Sequence, residues 1–342
     1  MLILGIETSC DETAAAVVRD GREILSNVVV SQIDLFAAYG GVIPEVAARS
    51  HLEAIMPVID KALADAKTSW ADIDAIAVTH APGLLGSLLI GTLTARTLAI
   101  LHGKPLYAVH HLKSHVYANW LETTRQPVFP LIALVVSGGH TQILHMPSHN
   151  DFKIIGTTHD DAIGECFDKV AKILGLPYPG GPAIAHAALA GDPTRFSLPH
   201  PKVAGLDFSF SGLKTAVLRA VQKEVGVPIS YPSHQLKNLL SSTTVADFAA
   251  AFQRTAIAIL TEKLHAALAK YPDTKSVVVA GGVSANASLR AALPDAFFPA
   301  PSLSGDNGAM VAAACYFEIE SGVRPTDPYS LNIYPRISIE TK

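Results

Sequence analysis

The chain is poor in charge, in cysteine and in basic excess, and each shortage removes a class of function. Only 16% of its 342 residues are charged, and 30 acids outnumber 26 bases for a net charge of −4. That balance excludes a strongly basic nucleic-acid binder, so contact with nucleic acid has to come from a local patch or from a partner. The three cysteines, Cys10, Cys166 and Cys315, form no C-x-x-C and leave an odd one out. They exclude a disulfide framework and suit a reducing compartment. Uninterrupted apolar runs of membrane-spanning length are missing. The most apolar window, Gly83 to Leu101, is broken by Gly, Ser, Thr and Arg96 and reads as a buried helix. The opening MLILGIETSC has no basic region and soon turns acidic, which argues against a signal peptide and for a cytoplasmic location. Neither a Walker loop nor a clean G-x-G-x-x-G is present, and the metalloprotease motif H-E-x-x-H is absent.

What is there is core-forming material. Hydrophobic residues make up 49% of a chain longer than one core usually extends, so two lobes are expected. The first lobe opens as a strand (residues 2–8), a polar turn holding Asp11, Glu12 and Thr13, and a second strand (AAAVV). Asp20-Gly21 closes a hairpin onto a third strand over 22–30. A helix begins at Pro44, a strand runs from Ile73 to Thr79, and a helix covers 84–101. The polar, Pro-containing stretch 121–130 marks the lobe boundary. Beyond it, Leu131 to Val136, SGGHT and QILHM repeat the strand–turn–strand opening, which suggests a second lobe of similar topology. A helix over 161–174 is expected to be capped by Asp160 or Asp161, and a long amphipathic helix ends at Tyr271. The fold class is α/β, with lobes at 1–120, completed by a C-terminal helix at about 309–330, and at 130–308.

Three strand ends carry small or hydroxyl-bearing turns, ETSCDET, SGGHT and AGGVSAN. Such turns let backbone N–H groups approach an anion closely. His111 and His115 are four residues apart in a segment of helical spacing, so both imidazoles share one face. The alternative is one hydrogen-bonded core histidine and one solvated one. Asp306, in Gly305-Asp306-Asn307-Gly308, reads locally as a helix N-cap. It also reads as the carboxylate that would complete a two-histidine, one-carboxylate set suited to Fe(II) or Zn(II), with open positions for Lewis-acid work. Asp168 reads on its own as an exposed helix carboxylate, and Asp11 and Glu12 as acids that satisfy turn backbone groups.

Taken in order, the segments LGIETSCDET, YGGVIPEVAARSH, APGLLGSLLIG, VHHLKSH, LVVSGGHT, DDAIGECFDKVAKILGLPYPGGP, LDFSFSGLK, VVAGGVSAN and SGDNGAM resemble the bacterial tRNA N6-adenosine threonylcarbamoyltransferase family, formerly labelled O-sialoglycoprotein endopeptidase or glycoprotease. The match runs from Ile3 to about Ala312. The resemblance implies a two-lobed actin-like ATPase fold, of the superfamily of acetate and sugar kinases, Hsp70 and actin. It implies transfer of the threonylcarbamoyl group from threonylcarbamoyl-adenylate to the N6 amine of adenosine 37 in ANN-decoding tRNAs, releasing AMP. By the same resemblance one Fe(2+), or alternatively Zn(2+), sits on His111, His115 and Asp306. Substrate contacts fall on Val135, Val136, Ser137, Gly138, Gly139, Asp168, Gly181 and Asn286, and Asp11 is the candidate for proton handling. The implied partners are tRNA, a paralogous actin-fold subunit and a P-loop ATPase. Two positions depart from the family pattern. Lys113 stands where H-x-E-G-H has an acid, and Ala185 where an Asp is common. The competing readings are an actin-fold ATPase or small-molecule kinase, a metalloprotease, and a non-catalytic scaffold subunit of a tRNA-modifying complex.

Overall fold

The computed structural model describes residues 1–201 and 203–341. In chain order the elements are β1 (Leu2–Glu7), β2 (Glu12–Arg19), β3 (Glu23–Ser31), α1 (Ile33–Ala37), α2 (Pro44–Asp65), β4 (Ala75–Ala81), α3 (Leu85–His102), β5 (Leu106–His110) and α4 (His111–Tyr117). They continue with β6 (Leu131–Val136), β7 (Thr141–Met146), β8 (Lys153–Thr157), α5 (Ile163–Leu174), α6 (Gly180–Ala188), α7 (Ser211–Glu224), α8 (Ser242–Lys270), β9 (Ser276–Ala280), α9 (Ala287–Ala292) and α10 (Gly308–Glu320). Two compact units result. The first comprises Met1–Leu131, Met146–Lys153 and Phe297–Lys342, and the second Ile132–His145 and Ile154–Ala296.

The first unit is built on a sheet of order β3-β2-β1-β4-β5. The hairpins β1–β2 and β2–β3 are antiparallel, whereas β1–β4 and β4–β5 are parallel. β1 and β4 are buried almost throughout, as strands covered on both faces must be. α2 and α3 pack on one face around Ile55, Ile59, Ile76 and Leu98. α10 packs on β1 and β2, and its approach depends on missing side chains. A Cβ on Gly308 would strike the backbone of Ala15 and Ala16, and one on Gly5 would strike Gly308 and Ala312. Asp20 and Gly21 both take positive φ, 52° and 62°, which gives the tight turn that Asp-Gly encodes.

The second unit has a sheet of order β8-β7-β6-β9, with β6 wholly buried. Its helix α5 starts at Ala162 with no side-chain cap. The expected capping by Asp160 or Asp161 is therefore corrected. Thr141 Oγ1 accepts from the Ile163 N–H, while Asp160 accepts from the N–H groups of Phe210 and Ser211 at the start of α7. Asp161 instead pairs with Lys169, at 2.6 Å. A second expectation is corrected at α3. One face is buried, but Leu85, Leu89, Leu93, Ile100 and Leu101 remain exposed. It is the one helix among the described residues long and apolar enough to cross a membrane.

Candidate metal centre and substrate turns

β5 ends at His110, whose extended backbone turns the chain directly into α4. The His110 side chain accepts from the Leu112 N–H, which caps the new helix, and its other ring nitrogen faces the Ile337 carbonyl at 3.4 Å. Burial holds its pKa down at about 3, so the ring is neutral and suited to this capping. The helix then places His111 and His115 on one face, with ring centroids 4.6 Å apart.

Asp306 meets this face from the far end of the chain. Its Oδ1 lies 3.1 Å from His115 Nε2 and 3.7 Å from His111 Nε2. The two readings of Asp306 separate here, because the N-cap of α10 is its neighbour. Asn307 accepts from the Met310 N–H at 3.0 Å. Asp306 is thus not consumed by the helix start. His115 is 1% exposed, and neither of its ring nitrogens has a hydrogen-bond partner among the described residues. An imidazole buried in that condition is costly unless it ligates something. With one ligand atom each, His111, His115 and Asp306 lie within 4.8 Å of one another, and the cluster can hold a metal ion.

Behind His111 stands Glu7, the last residue of β1 and fully buried. Its Oε2 is 3.1 Å from His111 Nδ1 and accepts from the Thr79 hydroxyl at 2.6 Å, while Oε1 accepts from the Ser9 N–H. Ser9 Oγ also reaches His111 Nδ1, at 3.2 Å. A carboxylate on Nδ1 fixes the tautomer and leaves Nε2 facing Asp306. Burial works to lower the His111 pKa, but Asp306 and Glu7 outweigh it and push it up to about 9. The pocket therefore attracts positive charge. Glu7, Ser9 and Thr79 were not identified from sequence. The available signal was an acid closing an otherwise apolar strand, since such a group needs a partner.

The turn after β1 is stiffened from beneath by His51. Its Nδ1 pairs with the Thr13 hydroxyl at 2.8 Å and its Nε2 with the Cys10 carbonyl at 2.9 Å. Burial lowers the His51 pKa, which keeps the ring neutral for that bridge. Leu84 N–H donates to the Ser9 carbonyl and ties the turn to the start of α3. Burial first, then Asp306 and Asp11, push the Glu12 carboxyl up to about 10, and burial with Asp11 raises the Cys10 thiol. The turn is shorter than expected, because Glu12 and Thr13 already belong to β2. Asp11 precedes the strand, half-buried.

The remaining candidates lie in the second unit. Val135 and Val136 are buried at the end of β6. The Ser137 hydroxyl accepts from the His140 N–H at 3.1 Å, closing the turn. Gly138 and Gly139 are exposed, and no described atom stands within 4 Å of where their Cβ would be. Asp168 is not a free helix carboxylate, since its Oδ1 accepts from the Gly180 N–H at 2.7 Å and holds the Pro-Gly loop. Gly181 is likewise open around its Cβ position. Asn286 caps α9 through Ser288 and Leu289 N–H and donates to Gln253 Oε1 at 2.8 Å. His111, His115, Asp306 and Asp11 thus share the first unit, and the other eight residues belong to the second.

The two sheets, each with helices packed on it, define the actin-like ATPase fold. Component A of (R)-2-hydroxyglutaryl-CoA dehydratase from Acidaminococcus fermentans is similar in structure, with a TM-score of 0.50 at 15% identity. That comparison covers 94% of this chain and 99% of that one. The family described as tRNA N6-adenosine threonylcarbamoyltransferase matches residues 23–313, and the chain belongs to it. A relative with that description in Thermomicrobium roseum is 47% identical, covering 100% of this chain and 98% of its own length. Another in Symbiobacterium thermophilum is 48% identical, covering 99% and 97%. The protein is accordingly an acyltransferase that modifies the N6 amine of adenosine in tRNA with a threonylcarbamoyl group.

Proposed function

We propose that the chain takes the threonylcarbamoyl group from threonylcarbamoyl-adenylate to adenosine 37 of ANN-decoding tRNAs, with one divalent ion, Fe(2+) or alternatively Zn(2+), held by His111, His115 and Asp306. The observation that carries the metal reading is the cluster itself: buried His115 turns Nε2 to Asp306 at 3.1 Å, and one ligand atom each of His111, His115 and Asp306 lie within 4.8 Å of one another. When bound, such an ion supplies Lewis-acid stabilisation of charge on an acyl oxygen.

The chain's own residues do the rest. Glu7 and Ser9 hold His111 in the tautomer that presents Nε2. Backbone N–H groups at Gly138 and Gly139 would receive anionic oxygens, with no side chains in the way, while the Ser137 N–H closes the turn on the His140 carbonyl. Asp168 shapes the loop that presents Gly181, on whose open face a ribose or acyl group can pack. Asn286 uses its amide oxygen to cap α9 and one amide N–H on Gln253, which leaves its second N–H for a substrate hydroxyl. In the reaction the N6 amine forms a C–N bond to the carbamoyl carbon, the bond to AMP breaks, and N6 loses a proton. Asp11, on the acidic turn of the first unit, is the residue assigned to take that proton. AMP leaves as a stabilised anion, so acid assistance to the leaving group is not needed.

Two further proposals concern assembly. The paralogous actin-fold subunit docks on the face made by α2 and α3, a reading supported by exposed Leu52, Met56, Leu85, Leu89 and Leu93. A P-loop ATPase and the tRNA join in the cytoplasm, where the net negative chain relies on partners to complete a tRNA surface.

The test is a modification assay with synthetic threonylcarbamoyl-adenylate, tRNA and candidate partners, read by mass spectrometry of the nucleosides. Asp306→Ala and His111→Ala should lose bound metal and modification together, by on the order of 100-fold or more. Full activity in a metal-free variant would overturn the metal assignment.

A further inference from the structure

Lys113 lies between the two histidines in sequence but turns away from them in space. Its ammonium sits 3.5 Å from Glu318 Oε1 and 5.3 Å from the centre of the Phe152 ring. Glu318 and Phe152 are only 5% and 7% exposed. Two residues along an α-helix correspond to about 200° of rotation, so Lys113 occupies the face of α4 opposite the imidazoles. Tyr117, on that same back face, stacks on Phe317 with centroids 5.0 Å apart and planes at 14°.

One helix therefore grips α4 from both sides. Asp306, just ahead of the first turn of α10, meets the histidine face. Phe317 and Glu318, in the last turn of α10, hold the back. α4 has only seven residues and cannot define its own orientation. An imidazole nitrogen about 6 Å from a helix axis moves roughly 2 Å when the helix rotates by about 20°. Metal–ligand distances tolerate only about 0.2 Å. The rotation of α4 thus decides whether the histidines can act together.

We propose that the Lys113–Glu318 pair, with Lys113 half-buried and Glu318 buried, is a positioning device that sets the rotation of α4 and thereby the bite of His111 and His115 on a divalent cation. The proposal rests on the metal reading given above and assigns Lys113 no contact with substrate. A pair of buried charges contributes little net stability, and apolar residues of similar size replace one at no loss or even a gain. What the pair adds is direction, because Lys113 and Glu318 satisfy each other at one setting of the helix.

That contrast gives the experiment. Zn(2+) affinity is measured by competition with a chromophoric chelator, alongside thermal unfolding of the metal-free chain. Lys113→Met and Glu318→Gln should each weaken Zn(2+) binding about tenfold, and the double variant no more than the singles, since both remove one interaction. Lys113→Met with Glu318→Leu should unfold at or above the wild-type temperature and still bind about tenfold more weakly. The exchange Lys113→Glu with Glu318→Lys should recover most of the affinity. Val217→Ala, a core truncation in the other unit, should lower the unfolding temperature without changing affinity. Zn(2+) affinity within twofold of wild type in the two singles would overturn the proposal and leave the metal site standing. Failure of the wild-type chain itself to bind Zn(2+) or Fe(2+) would overturn both.

Discussion

Two turns of this molecule share a topology and differ in almost everything else. Each joins the first two strands of a unit, ETSCDET after β1 and SGGHT after β6. The first is acidic and tied down, with its backbone held by buried Glu7 and neutral His51 and fastened to α3 through Leu84. The second is closed at its base by Ser137 and His140, is tied to α5 by the Gly164 N–H on the Ser137 carbonyl, and ends in two exposed glycines. The difference follows from what each is suited to hold. Acidic groups must be fixed by partners before they can gather around a cation without repelling one another. Backbone N–H groups meet an anion best when no side chain intervenes.

The comparison can be broken or sharpened, starting from the largest effect. Glu7→Gln removes the carboxylate behind His111 and should weaken divalent-metal binding about 10–100-fold while the fold survives, as read by chelator competition and circular dichroism. Ser137→Ala, in the other turn, should leave metal affinity unchanged. Gly281→Ala attacks the backing of the open turn. Gly281 has φ of +90°, and its Cβ would meet the Val136 carbonyl. Unfolding in urea should show a loss of about 3 kcal/mol. Asp160→Ala removes the cap of α7 and should cost about 1 kcal/mol.

That last site also has a pH signature. Burial raises the Asp160 carboxyl, but hydrogen bonds from the Ser209 and Ser211 hydroxyls and the Phe210 and Ser211 N–H groups outweigh it and hold the pKa below its ordinary value. A depressed carboxyl adds stability that is complete above the unfolded-chain value of about 3.9 and is lost as pH falls through the folded-state value. Asp160→Asn should therefore lower stability at neutral pH and flatten the acid end of the curve, so that variant and wild type converge as pH falls. The smallest effect belongs to Gly138→Ala, where the space is open. The unfolding temperature should stay put, while donor binding weakens if the backbone there is a contact surface.

Much of this architecture is legible in the sequence, and the failures are instructive. The strand–turn–strand openings, the Asp-Gly hairpin and the four-residue histidine spacing are local patterns, and local patterns announce themselves. Partnerships across long separations do not. Glu7 needs Thr79 and His111, and Lys113 needs Glu318, 205 residues away, so neither pairing has a local signature. Asp160 looked like the cap of the helix that follows it and caps α7 instead, fifty residues on. α3 looked like a buried helix because composition cannot say which apolar face stays uncovered. At Asp306 the local chemistry favours a helix N-cap, and the structure gives that cap to Asn307 instead.

That division has an evolutionary consequence. Asn307 starts the helix and Asp306 does not, so a chain could exchange Asp306 for a neutral residue and still begin α10 correctly. If Asp306 is the metal ligand proposed above, gene duplication followed by that one substitution would yield a sister protein with α10 still capped and the metal site lost. On the proposed metal site, a fold arranged this way makes the passage from catalyst to inert companion a short one, because the proposed ligand and the helix cap are neighbouring residues.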